Sequence, residues 1–430
     1  MPHDIPLPLP APDWLLVSLL LFSFLVHLLF VNLMVGGSLL TLIFEWLGLK
    51  RKDFDNLAHE IARTVTVNKS LAVVMGVAPL LLINTLYTVY FYTANALTGL
   101  AWIMIVPLVA TAFLLTYLHK YSWERLHEHK LLHLAIAVAA SLIFLSIPLV
   151  FLVNINLMLF PDRWQDVQGF VSALMLPNVW PRYLHFLAAC FAVTSLFLVF
   201  YFRRASYPWD SHFKDLRRSE AIRIFYSITL VSSCAQFIIG PMVFVTLPAQ
   251  GVSWTMNVIL GLGIVCAFPA LYWIWQEIAD TTELRGGRAV KITVMLSLTV
   301  ICMVSARHVY RSKSLEAHQQ KMVERTEAYG QAVLNAQKAA EREKMKQVQG
   351  DPGEVVFKSY CAACHAYGKR LVGPPVTEIQ ALYQNRPEGI AQWAKAPGKN
   401  RADYPPMPAI PISEKELMAV GKYMLKMKGD

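Results

Sequence analysis

Residues 14–47 read WLLVSLLLFSFLVHLLFVNLMVGGSLLTLIFEWL, a stretch whose only ionisable side chains are His27 and Glu45. An α-helix crosses the hydrocarbon core of a bilayer with roughly 20 apolar residues, so this run is long enough to span at a tilt. Comparable runs follow at about 70–92, 97–118, 131–157, 183–202, 222–247, 254–277 and 290–307, and then they stop. Of the 430 residues 55% are hydrophobic and 16% charged, where a soluble domain carries roughly a quarter charged residues. The expected fold is all-α. A polytopic membrane bundle of about eight spans occupies 1–307, and 308–430 lies outside the lipid.

The net charge of +10 does not mark a nucleic-acid face, because the basic residues alternate between loops. Lys50, Arg51, Lys52, Arg63 and Lys69 follow the first span, and 93–96 has none. Lys120, Arg125 and Lys130 come next, then only Arg163 and Arg182. Arg203, Arg204, Lys214, Arg217 and Arg218 follow, 248–253 is empty, and Arg285, Arg288 and Lys291 precede the last span. Basic loops stay in the cytoplasm. The expected location is therefore a bacterial inner membrane with the N-terminus and 308–430 on the periplasmic side. The first run lacks a basic leader and exceeds a signal-peptide core in length, so it is expected to remain in the mature chain.

Cys190, Cys234, Cys266 and Cys302 each stand alone in a span and read as small buried apolar groups. Cys361-Ala362-Ala363-Cys364-His365 is different: two thiols at this spacing followed at once by His form the attachment motif for covalent c haem. A redox dithiol or half a zinc site has the same Cys spacing, but no second pair exists and the His follows directly. The surroundings resemble class I cytochrome c over 351–430: a short helix up to Phe357, a Gly373-Pro374-Pro375 turn, Met407-Pro408, and a closing helix from Ser413 to Met427. The resemblance implies His365 and Met407 as iron ligands, with Met418, Met424 and Met427 as helix packing. Such His/Met ligation raises the haem potential. Between the two domains, 308–350 carries Glu316, Lys321, Glu324, Arg325, Glu327, Lys338, Glu341, Arg342, Glu343 and Lys344, and is expected to form a solvated helical stalk. A partner-binding coiled coil is the alternative, disfavoured by sparse apolar positions.

Ionisable residues within spans are functional candidates. His27 and Glu45, 18 residues apart, fall on approximately one helix face, and Gly36, Gly37 and Ser38 between them admit a neighbouring helix or a flat cofactor. His119, His127, His129 and His133 suggest a metal, but no acid or Cys in the sequence completes a set, and a solvated basic loop is the simpler reading.

The first span resembles that of cytochrome bd quinol oxidase subunit I, where an H-F-L-F-V-P-L stretch precedes a Glu at the same interval. The similarity continues in order through Ala78-Pro79-Leu80, Asn154-Ile155-Asn156, Phe160-Pro161, Pro181-Arg182-Tyr183-Leu184-His185 and Ser253-Trp254-Thr255-Met256 with Gly261 and Gly263. It implies a b haem ligated by His185 and Met256, with His27 and Glu45 in the environment of a second b or d haem. Where that family carries two carboxylates this chain has Ile83 and Phe91. The quinol loop is cut to 247–253, and Glu277 is too close to Met256 to match the family's late Glu. The expected function is respiratory electron transfer between a membrane b haem, linked to the quinone pool, and the c haem. The expected partners are lipid, quinone, and a periplasmic redox protein or other respiratory subunits, with no nucleic acid. The alternatives are a bd-like terminal oxidase fed by its c domain, and an anchored cytochrome c serving a larger complex.

Overall fold

The computed structural model describes residues 9–280, 286–347, 350–399 and 401–429, with the backbone alone for 65–70, 286 and 342–347. Arg285 and most of the N-terminal tail fall outside these residues. Lys69, Arg342, Glu343 and Lys344 fall in stretches described by backbone alone. Among the described residues every regular element is helical, and the chain divides into two compact units, 1–326 and 327–430.

In the first unit α1 (Asp13–Gly48) packs along α2 (Lys52–Leu86). At Tyr87 the backbone leaves the helical region and the chain bends by 110° into α3 (Thr88–Thr98). The single turn α4 (Leu100–Ile103) and α5 (Ile105–Tyr121) carry it back, and α6 (Lys130–Leu157) returns against α5. The short α7 (Phe170–Leu174) precedes α8 (Val179–Arg203), which is paired with α10 (Arg218–Val245) across the small α9 (Trp209–His212). Next come α11 (Trp254–Ala279) and the 62-residue α12 (Gly286–Gln347). Seven described helices are long and apolar enough to cross a bilayer, or eight if the bent pair 71–86 and 88–98 counts as one.

Two apolar clusters mark the ends of this bundle. Phe44, Leu57, Ile61, Phe202, Phe225, Ile274 and Ile292 gather at the level where α1 finishes. Leu20, Tyr87, Tyr90, Val153, Leu157, Val179 and Leu315 gather where it starts. The second span therefore differs from the straight run expected at 70–92: α2 itself climbs to the starting level, and α3 turns away there.

The tight stretch in α1 is explained by helix packing rather than by a cofactor. A Cβ at Gly36 would collide with the Cys190 carbonyl and Thr194 Oγ1 of α8, Thr194 Oγ1 donates to Asn32 O at 2.9 Å, and Ser38 meets Ser141 of α6 at 3.0 Å. Small residues let membrane helices approach so that dispersion and hydroxyl hydrogen bonds hold them.

No helix ends at 307, the expected end of the bundle. α12 continues without a break, Tyr310, Leu315 and Gln319 are buried, and Tyr90 Oη meets His318 Nδ1 at 2.8 Å. Among the described residues of the expected stalk, Glu324–Glu341 has the continuous exposure of a solvated helix.

The second unit assembles α13 (Pro352–Val356), a wide turn at Phe357–Cys361, α14 (Val376–Tyr383), α15 (Pro387–Lys395) and α16 (Glu414–Lys426). Phe357, Val376, Ile390, Val420 and Met424 form its core, with Phe357 and Tyr423 in ring contact at 5.7 Å. The closing helix expected from Ser413 to Met427 is α16, and Ser413 caps it, its Oγ accepting from Glu416 N.

Candidate functional site

In the second unit the wide turn at Phe357–Cys361 presents Cys361, and one more turn brings Cys364 and His365, whose amides both point to the Cys361 carbonyl. His365 is buried, and its Nδ1 lies 2.8 Å from Pro374 O. A carbonyl only accepts, so Nδ1 carries the proton and Nε2 keeps its lone pair. A Cβ at Gly373 would collide with the imidazole, so glycine leaves the space the ring occupies. Burial, followed by the neighbouring Cys364, pushes the Cys361 thiol up to about 11. Redox dithiols need the opposite shift, which argues against that use of the pair.

Met407 is half-buried and packs with Ala391, Ala394, Leu417 and Met418. Its loop is fastened to the one that follows His365: Arg370 donates to Asp403 O and stacks over Tyr404 at 4.3 Å. Met424 and Met427 belong to the core around Phe357, as expected, whereas Met418 sits beside Met407. The thiols, the lone pair of His365 and a thioether on a tethered loop are a donor set that fits covalent haem.

In the bundle His185 lies early in α8, with Nδ1 buried and without a hydrogen-bond partner. Met256 is buried in the first turn of α11 beside Leu159, Ala306 and Tyr310. Asn178, in the left-handed conformation at the start of α8, donates to Val243 O and Thr246 Oγ1 at 2.7 Å each. That bond pins the α8 start to the α10 end, from which a short turn leads to Met256. Arg182 lies within electrostatic reach of His185, Tyr310 and Arg311, and Arg307 within reach of Arg182 and Arg311. Arg307 also stacks over Phe24 at 5.7 Å and Arg311 over Tyr87 at 5.2 Å. None of the three arginines pairs with a carboxylate among the described residues, and Arg182 Nη1 is buried without a partner. Sequence reading missed this group because hydropathy puts Arg182 between two spans, whereas it lies in the first turn of α8, and Arg307 and Arg311 lie on a helix 125 residues and more away.

His27 and Glu45 are not brought together. Eighteen residues of helix separate them by about 27 Å. His27 Nδ1 donates to Ala72 O at 2.9 Å, and its ring faces Gly76. Glu45 is instead held by His119 at 2.7 Å and by a short contact to His133. Glu45 thus turns to His119 and His133 rather than towards His27. The expectation that no acid completes the His119 and His133 set is corrected. His127 and His129 are exposed and stand apart from it.

Comparison with known proteins follows the same division. A cytochrome c family model matches residues 350–428. Cytochrome c-551 of Azotobacter vinelandii is 33% identical over 82 residues, 18% of this chain and all of that protein. Cytochrome c-551 of Pseudomonas denitrificans is 31% identical over 80 residues, 18% of this chain and 98% of that one. Among solved structures, a chain of the bd oxidase from Geobacillus thermodenitrificans aligns with a TM-score of 0.52 at 12% identity, covering 77% of this chain and 98% of its own. At that identity the likeness concerns the fold.

Proposed function

The chain belongs to the cytochrome c family through residues 350–428, and from that premise we propose that it passes single electrons between a b haem in the membrane bundle and its covalent c haem. In this reading the quinone pool exchanges electrons with the bundle and a periplasmic redox protein with the c domain. The observation that supports the bundle half is the half-buried His185, whose Nδ1 is buried without a hydrogen-bond partner, within reach of Arg182 and so of an arginine group that pairs with no carboxylate among the described residues, at the same end as buried Met256.

Haem bound at each site supplies a one-electron couple. In the c domain Cys361 and Cys364 would hold the porphyrin through thioethers. His365, oriented by Pro374, and Met407 would hold the iron, and a haem held by this His/Met pair would supply one-electron transfer. In the bundle His185 and Met256 would hold the iron from α8 and α11. Arg182, Arg307 and Arg311 carry charge at a depth where it is costly without a counter-ion, and propionate carboxylates would satisfy it through charge-assisted hydrogen bonds. His27 keeps a lone pair on Nε2 and remains a candidate for a further haem. Ile83 and Phe91 lie in the apolar cluster with Tyr87 and Leu157, which offers no carboxylate to deliver protons for oxygen reduction at those two positions.

A reduced-minus-oxidised spectrum with acid-acetone extraction tests the proposal. Covalent c haem stays with the chain, and extractable b haem is expected at no less than one per chain. That b haem is lost in His185→Ala, while the Met407→Ala change lowers the c-haem potential and leaves the b haem in place. A d haem, or a high-spin haem binding carbon monoxide, would turn the reading towards a terminal oxidase. The c haem alone would reduce the bundle to an anchor.

A further inference from the structure

Glu45, His119 and His133 stand at the finishing end of α1, at the end of α5 and at the start of α6, and all three are buried to 3% exposure or less. Each offers one ligand atom, and these atoms lie within 4.8 Å of one another. Their hydrogen bonds do not close with neutral rings. His133 Nε2 lies 2.8 Å from the His119 carbonyl, so Nε2 must carry the proton. In a neutral imidazole Nδ1 is then a lone pair, yet it faces Glu45 Oε1 in a short contact. Two acceptors face each other, so a cation belongs between them, either a proton or a metal ion.

We propose that this cluster is a binding site for one divalent transition metal, with Zn²⁺ as the reference ion, at the end of the bundle opposite the haem candidates. Two imidazoles and a carboxylate are the donor set that Zn²⁺ takes in three-ligand sites, with a fourth position left for water. A cavity of about 20 Å³ adjoins the cluster, lined by Ser38, Thr41, Thr116 and His119 among others. That is room for about one water, with three hydroxyl side chains among its walls. The bond from His133 Nε2 to a backbone carbonyl is the support that ligating histidines ordinarily have. The imidazoles of His119 and His133 stack at 4.0 Å over the edge of Trp123, which fixes both rings. The opposing charge is Lys130, 3.7 Å from Glu45 Oε1. It is bound to Asp55 and lies over the Trp123 ring at 4.4 Å, so its charge is already partly answered.

The test uses the full-length protein in detergent, stripped with a chelator, desalted and titrated with Zn²⁺, with uptake read by elemental mass spectrometry. One zinc per chain is expected. Glu45→Gln and His133→Ala each remove a ligand and should weaken binding by more than the roughly 10–100-fold typical of lost supporting residues. His129→Ala, an exposed change, leaves it intact, and Lys130→Met strengthens it by removing the nearby positive charge. Retained c haem and an unchanged elution volume show that a variant is folded. If a variant does not fold, the unaltered protein decides: an absorption-edge spectrum of the bound zinc should report imidazole nitrogen in its coordination shell. No stoichiometric uptake by the unaltered protein, or uptake unchanged in folded Glu45→Gln, would overturn the proposal and leave a proton shared between Glu45 and His133.

Discussion

Gly373 has a hydrogen where any other residue would put a carbon, and that carbon would collide with the His365 imidazole. Overpacking of this kind costs about 1–3 kcal/mol, and here the strain falls on the proposed iron ligand. Gly373→Ala is expected to lower both the thermal midpoint of the c domain and the yield of attached haem. Gly368→Ala, where a Cβ meets nothing within 4 Å, should do neither. Haem per chain from a pyridine haemochrome spectrum, followed by melting monitored at the haem absorbance, separates the two. This part of the site was legible because its chemistry is local: Cys361, Cys364 and His365 occupy five consecutive positions. The bond between Glu45 and His133 joins residues 88 apart, and no spacing rule links them. The available signal was general, that an acid at the end of an apolar helix needs a partner, and it did not name which.

At the scale of elements, hydropathy locates where lipid contact ends, and helices obey other limits. α12 passes 307 because nothing between Arg307 and Gln347 breaks it, even though its neighbours change from apolar helices to water. α2 runs straight through Pro79 and breaks instead at Tyr87, which carries no sequence signal for a bend. α16 was legible to within a residue because its start is written in Ser413 and Glu416, a reciprocal cap that satisfies otherwise orphaned amides. Ser413→Ala should therefore cost about 1 kcal/mol, read as a lower denaturation midpoint of the c domain. The pH dependence has a definite sign. The Ser413 cap holds Glu416 below the usual carboxylate range, Lys395 does the same for Glu414, and Arg401 for Asp403. Carboxylates depressed in the folded state stabilise above their unfolded pKa and lose that contribution as pH falls through the folded value. Melting of the c domain should thus be level from pH 7 to about 5 and decline below about 4, with a shallower decline in Ser413→Ala and Lys395→Ala.

For the whole molecule the decisive quantity is the parity of the crossings. If the N-terminus and the c domain share the periplasmic side, as proposed, the number of crossings is even, which the seven straight spans alone do not give. The bent pair, counted as one span, makes eight. Glu45 meets His119 and His133 where α1 finishes, which puts the α5–α6 junction at that end, while Leu20, Tyr87 and Leu157 share a cluster at the other. The chain therefore travels the length of the bundle along α2 before α3 turns aside, and travels back along α5. The basic residues Lys120, Arg125 and Lys130 then lie at the end that the positive-inside rule assigns to the cytoplasm. Alkaline phosphatase fused after Gly99 or after Gly429 should be active, since the enzyme folds only in the periplasm, and a fusion after Leu126 should be inactive. The opposite pattern, inactivity after Gly99 and Gly429 with activity after Leu126, would overturn this orientation and place the α5–α6 junction, and the Glu45 cluster beside it, on the periplasmic side.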